Sequence, residues 1–199
     1  MECCWKVTDP LQATLCTALN HIGPLLASSL IDENTGFNLA DSSLYLIKAI
    51  DLNPKICIVS SCGGHLTEVR TLRPAYSHYE HFYVINEKIL LPDDMQNKTY
   101  FIRHSERDLL FLLNLWEAWR VLRKERPTII LSTGAGPLVP FAIIGKFLRI
   151  PTVFIESITR VNRPSLTGRI MNHLADRVLY QWPSLARSFP RGVCGGPIV

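Results

Sequence analysis

A chain of 199 residues with 47% hydrophobic content is long enough for one substantial core and a small appendage. Its 21 Lys and Arg outweigh 17 Asp and Glu, a formal net charge of +4; residues 1–50 hold two lysines against five acids, net −3, so the remainder carries +7. A basic body of this kind suits phosphate-bearing ligands or an anionic surface, whereas six cysteines with no CxxC and an adjacent Cys3-Cys4 pair argue against a disulfide framework and for a reduced cytosolic setting.

Residues 1–53 read as a helical N-terminal extension. Within it Leu11 to Ile31 is uncharged over 21 residues, which is spanning length, but Gln12, Thr14, Asn20 and His21 interrupt it and Gly23-Pro24 falls in its middle. Leu11, Leu15, Leu19, Ile22 and Leu26 mark one stripe, so an amphipathic helix on the body or at a membrane interface is expected rather than a span. The stretch lacks the basic start of a signal peptide. Asn53-Pro54 is the expected boundary, because the residue before proline resists helix.

From Lys55 the chain alternates. Strands are expected at 55–60, 80–85, 99–102, 127–132, 151–155 and 176–181, and helices at 65–76, 107–125, 137–148 and 165–175. Pro127 and Pro151 stand at strand starts, where a missing N–H is tolerated. The alternation implies an α/β fold with an open, mostly parallel, Rossmann-like sheet and helices on both faces over residues 54–199.

Three strand ends carry the chemistry. In "KICIVSSCGGHLTEVR" an apolar run stops at Ser61-Cys62-Gly63-Gly64 and turns at His65 into a helix, whose unpaired N–H groups and positive dipole end suit an anion. Taken alone, this loop reads as a tight strand-to-helix turn with no ligand. "TIILSTGAGPLVPF" repeats the design at Gly134 and Gly136, with Pro137 a good first-turn residue. "PTVFIESITRVNRPSL" ends a strand at Glu156 and enters a loop bearing Arg160 and Arg163, whose forks match phosphate oxygens. Ligands of open parallel sheets bind outside the carboxyl ends of the strands, where all three loops gather. No GxGxxG, Walker or GxSxG motif is present, so neither a dinucleotide nor an ATP site is indicated. Cys57, Cys62 and His65 lack a fourth metal partner, and no metal site is expected.

The helix "RDLLFLLNLWEAWRVLRKER" reads first as a core helix. Its alternative is a part-exposed patch for a bilayer or a partner chain, with Trp116 and Trp119 flanked by Arg120, Arg123, Lys124 and Arg126.

"SSCGGHL", "STGAGPLVPF", "FIESITRVNRPSLTGRI", "ADRVLYQW" and "GGPIV" together resemble the acceptor-side subunit of two-chain glycosyltransferases. Relatives include the endoplasmic-reticulum anchor of the UDP-N-acetylglucosamine transferase of N-glycan assembly and PssD-type exopolysaccharide glucuronosyltransferase components. A more distant similarity is to the N-terminal half of the lipid-II synthase of peptidoglycan. The resemblance covers about Lys55 to Val199 and implies the N-terminal half of a GT-B fold split between two chains. This half would bind a lipid-diphosphate-linked saccharide at a cytoplasmic membrane face. A donor-binding partner subunit would hold the UDP-sugar, so no cofactor and no nucleic acid are expected here. The first 53 residues match neither the bacterial nor the eukaryotic pattern.

By motif, Ser61, Gly63 and Gly64 would face the acceptor diphosphate, Gly134 and Gly136 would admit the headgroup, and Arg160 and Arg163 would pair its phosphates. His65 would orient or deprotonate the acceptor hydroxyl. Glu156 is the alternative base, its bland counterpart being a salt bridge to Arg160 or Arg163. Two rivals accompany this reading: a non-catalytic anchor that recruits the transferring subunit, and a self-sufficient α/β enzyme acting on a phosphorylated sugar.

Overall fold

The computed structural model describes residues 54–86, 93–96, 98–103, 110–134 and 136–198; the expectations for residues 1–53 lie outside them. Residues Pro54–Val199 form one compact unit. Seven strands build its sheet: β1 Ile56–Ser60, β2 His81–Ile85, β3 Thr99–Phe101, β4 Ile129–Ser132, β5 Thr152–Ile155, β6 Arg177–Tyr180 and β7 Val193–Cys194. Their order is β3-β2-β1-β4-β5-β6-β7 and every pairing is parallel. The sheet is thus the open Rossmann-like one expected. Every residue of β1, β4 and β5 is buried, as strands covered on both faces must be.

The helices are α1 Gly64–Thr71, α2 Arg73–Tyr76, α3 Asp93–Gln96, α4 Leu110–Glu125, α5 Leu138–Phe147 and α6 Leu166–Leu174, with a 3-10 turn at Pro183–Leu185. The single helix expected over 65–76 breaks at Leu72, since Pro74 in the first turn of α2 has no N–H to continue the ladder. The core lies between α5 and the sheet: Leu138, Phe141 and Phe154 are fully buried and pack with Ile130, Met171 and Val178. Each such side chain contributes ~1.5–3 kcal/mol relative to exposure.

The chain runs outward from β1 through β2 to β3, then returns to place β4 on the other side of β1. The loops after β1 and β4 therefore leave neighbouring strands in opposite winding directions, which opens a crevice at the carboxyl edge.

On α4 the residues Asn114, Ala118, Val121 and Leu122 face inward, while Leu112 (62% exposed), Leu113 (43%) and Trp116 (58%) do not. The helix is a core element on one side only. On α5 Phe147 is 74% exposed, with its ring 5.7 Å from that of Trp119. Among the described residues no helix is long and apolar enough to cross a membrane.

Candidate functional site

The β1 loop is shaped by Gly63, whose φ of 90° and ψ of −138° suit glycine alone, and whose carbonyl accepts the Thr67 N–H at 3.2 Å to open α1. A Cβ on Gly63 or Gly64 would meet no atom within 4 Å. Gly64 has no positive φ, so neither backbone nor packing demands a glycine there. The Cys62 N–H donates to Asn86 Oδ1 at 3.3 Å, tying the loop to the end of β2.

His65 and Thr133 clasp each other across the crevice. His65 Nδ1 lies 3.1 Å from the Thr133 carbonyl oxygen, and the Thr133 hydroxyl donates to the His65 carbonyl at 3.0 Å. A carbonyl only accepts, so Nδ1 carries a proton, and in the neutral ring Nε2 is the nitrogen with the free lone pair. The side chain is 32% exposed. Gly134 makes room for the ring: its φ is +121°, and a Cβ there would stand 3.0 Å from His65 Cε1 and 3.3 Å from Nδ1. Its N–H donates to Ser132 Oγ at 3.1 Å and its carbonyl accepts from the same hydroxyl at 3.2 Å. Gly136 is exposed, with nothing within 4 Å of a Cβ.

The third loop is pinned from three sides. Glu68 Oε1 accepts from Ser157 Oγ at 2.6 Å and from the Ile158 N–H at 3.1 Å. Trp182 Nε1–H donates to the Ile158 carbonyl at 2.6 Å, and the Ser184 hydroxyl donates to the Val161 carbonyl. Arg160 and Arg163 are exposed along this braced loop.

Glu156 stands elsewhere. It is 1% exposed, and its carboxylate accepts from the Ser157 N–H at 3.2 Å, the Ser165 N–H at 3.0 Å and the Ser165 hydroxyl at 3.2 Å. Ser165 is the N-cap of α6, accepting the Gly168 N–H at 2.8 Å. A Cβ on Gly168 would sit 2.0 Å from Glu156 Oε2. The carboxylate is enclosed at the start of α6, held by three donors and by the helix dipole. Among the described residues its hydrogen-bond donors are Ser157 and Ser165 rather than Arg160 or Arg163.

The sheet therefore brings His65, the two glycine loops and, through Glu68, the arginine loop to one edge, and leaves Glu156 behind them. Thr133 and Glu68 had no place in the sequence reading. Glu68 had one local signal, its i, i+3 spacing from His65 on a helix. Thr133 had none, because its partner lies 68 positions away. Among the described residues no three His, Cys, Asp or Glu side chains group as metal ligands.

The family described as "Oligosaccharide biosynthesis protein Alg14 like" matches residues 108–198. The human UDP-N-acetylglucosamine transferase subunit ALG14 is 27% identical over 77% of this chain and 89% of its own length. A bacterial relative from Nitrosospira multiformis, named UDP-N-acetylglucosamine--N-acetylmuramyl-(pentapeptide) pyrophosphoryl-undecaprenol N-acetylglucosamine transferase, is 36% identical over 44% of this chain and 24% of its own. Among solved structures, the UDP-N-acetylglucosamine 2-epimerase of Rickettsia bellii superposes with a TM-score of 0.58 at 15% identity, covering 74% of this chain and 46% of that one. Acinetobacter baumannii MurG superposes with a TM-score of 0.55 at 14% identity, covering 65% and 41%. The chain thus spans less than half of either solved chain, and those two likenesses establish the Rossmann-like fold. The resemblance read from the motifs agrees with these matches: over residues 108–198 this chain is similar to the Alg14-like oligosaccharide biosynthesis proteins.

Proposed function

We propose that this chain is the acceptor-binding half of a UDP-sugar-dependent glycosyltransferase that elongates a lipid-diphosphate-linked saccharide, working with a separate donor-binding subunit. The observation that carries the reading is His65. Its Nδ1–H is spent on the Thr133 carbonyl, so in the neutral ring Nε2 is the basic nitrogen, at the head of a glycine loop and beside the crevice where open parallel sheets bind ligands. The acceptor oxygen attacks the anomeric carbon of the donor held by the partner. UDP leaves with the electron pair of the broken C–O bond, and the hydroxyl proton passes to His65 Nε2.

Gly64 supports the acceptor side of the reading. With no packing reason for a glycine, the bare backbone at the start of α1 is open to a diphosphate. Arg160 and Arg163 supply guanidinium forks on the neighbouring loop, and Ser61 and Gly136 complete the rim. The names of the eukaryotic and bacterial relatives both carry N-acetylglucosamine, which favours that sugar over a glucuronosyl donor and oligosaccharide assembly over exopolysaccharide. The subunit wording of the human relative favours a two-chain enzyme.

The α4–α5 face supports peripheral attachment to the membrane that carries the acceptor. Leu112, Leu113, Trp116 and Phe147 are exposed, Arg120 and Arg123 lie over the Trp116 and Trp119 rings at 5.6 and 5.3 Å, and Lys124 and Lys146 are exposed nearby. Apolar side chains ringed by cations suit an anionic bilayer surface.

Steady-state kinetics of the reconstituted pair, varying acceptor and donor separately, test the proposal. His65→Ala lowers kcat by about two to four orders of magnitude. Gly64→Val raises the acceptor KM and leaves the donor KM unchanged. Full activity of His65→Ala would leave the recruiting-anchor reading in its place, and robust transfer by this chain alone would favour the self-sufficient enzyme. For the membrane face, Trp116→Ser with Phe147→Ser lowers sedimentation with anionic vesicles; unchanged sedimentation removes this face from the proposal.

A further inference from the structure

We infer that Glu68 is a positioning residue for His65, holding the carboxylate charge that balances the imidazolium formed during transfer. The inference rests on His65 being the base. Glu68 is 6% exposed, and its two oxygens have different surroundings. Oε1 accepts the Ser157 hydroxyl and the Ile158 N–H. Oε2 is buried with no hydrogen-bond partner and lies 3.8 Å from His65 Nδ1, one helical turn back. Among the described residues its ion-pair contact is this imidazole; no lysine or arginine reaches it.

A buried carboxylate oxygen without a donor is costly, and such groups in folded proteins need a reason. The neighbour supplies one. In the neutral ring the one N–H, on Nδ1, points to the Thr133 carbonyl. Once Nε2 takes the acceptor proton, both ring nitrogens bear hydrogen and the ring is cationic. Its Nδ1 flank then faces a carbonyl at 3.1 Å and a desolvated carboxylate at 3.8 Å, where little water screens the attraction. The proton stays on His65 and returns to solvent after transfer; Glu68 takes none. Through Oε1 the same side chain joins α1 to the loop bearing Arg160 and Arg163, so base and arginine loop keep one spacing.

The test is Glu68→Gln in the reconstituted pair, read in two backgrounds. Glutamine keeps the size and the Oε1 acceptor and removes the charge. We expect kcat to fall about 10- to 100-fold with the acceptor KM within about 3-fold. In a His65→Ala background the same change should cost no more than about 2-fold, since residues acting as a unit are not additive. An equal loss in both backgrounds, or parental kcat in the single variant, overturns the inference while leaving an impaired His65→Ala, and so the base, standing. A fully active His65→Ala removes both. If circular dichroism shows that Glu68→Gln does not fold, Ser157→Ala is read instead. It removes one donor from Oε1 but leaves the Ile158 N–H to tie the loop and keeps the charge beside His65, so kcat stays within about 3-fold; a loss of tenfold or more would assign Glu68 to the loop and overturn the inference.

Discussion

Replacing Gly134 by alanine adds one methyl group and tests both the backbone and the ring of the site. The backbone φ is +121°, a region that costs an L-residue ~1–3 kcal/mol. The added Cβ would stand 3.0 Å from His65 Cε1 and 3.3 Å from Nδ1, inside ordinary contact distance, so the imidazole must retreat by a few tenths of an ångström. The retreat lengthens the 3.1 Å bond from Nδ1–H to the Thr133 carbonyl, a bond contributing ~0.5–1.5 kcal/mol. Together these place the loss of stability at about 2–4 kcal/mol, or roughly 6–15 °C in Tm for a unit of this size. Loosening the tautomer lock should also lower kcat by about 10- to 100-fold, short of the full loss of a base. Thermal melting of the chain and kinetics of the reconstituted pair read the two effects separately. Gly136→Ala is the control for stability, since nothing lies within 4 Å of its Cβ and its φ is not positive. In a His65→Ala background the steric part vanishes, and the destabilisation should shrink toward the backbone strain alone. Parental stability and kcat for Gly134→Ala, or an equal loss of stability for Gly136→Ala, would refute the clasp between the β4 loop and His65.

Gly168→Ala should destabilise by on the order of 2–4 kcal/mol, because its Cβ would sit 2.0 Å from Glu156 Oε2 and expel a buried carboxylate from its three donors. Urea unfolding measures it, and a midpoint within error of the parent would show that the carboxylate moves freely. Glu125 bonds Lys55 Nζ at 2.7 Å and accepts the Tyr100 hydroxyl, and these two bonds, Lys55 first, hold its carboxyl below the usual range. A lowered carboxyl contributes stability that is complete above the ordinary carboxylate range and fades as pH falls through the lowered value. Glu125→Gln should therefore cost less than about 1 kcal/mol at pH 7, given partial solvent screening, and nothing at strongly acid pH. A deficit that persists undiminished in acid would mean that packing, not charge, is what the variant lost.

The alternation of strands and helices, and the glycine loops at strand ends, were legible in the sequence. They rest on periodicity and backbone freedom, which act over neighbouring residues: Ile56–Ser60 reads as a covered strand from its own side chains, and Gly63 as a turn from its missing Cβ. His65 was legible for the same reason, standing between two glycines and a helix. The two-residue β7 and the short α3 carry too little pattern to announce themselves, and the break at Leu72 follows from Pro74. The exposed side of α4 was open in the sequence, because a run apolar all round does not say which face the sheet covers; burial of Ala118, Val121 and Leu122 decided it. Site partnerships were settled only by the tertiary fold. Glu156 and Glu68 are both glutamates beside helical turns, and the sequence put Glu156 forward. The folded chain encloses Glu156 against Ser165 and Gly168, and turns Glu68 toward His65 and toward Ser157, 89 positions away. No local pattern carries contacts of such separation. They exist because parallel pairing of β1, β4 and β5 stacks the three loop ends at one edge, and that stacking determines which carboxylate meets the imidazole.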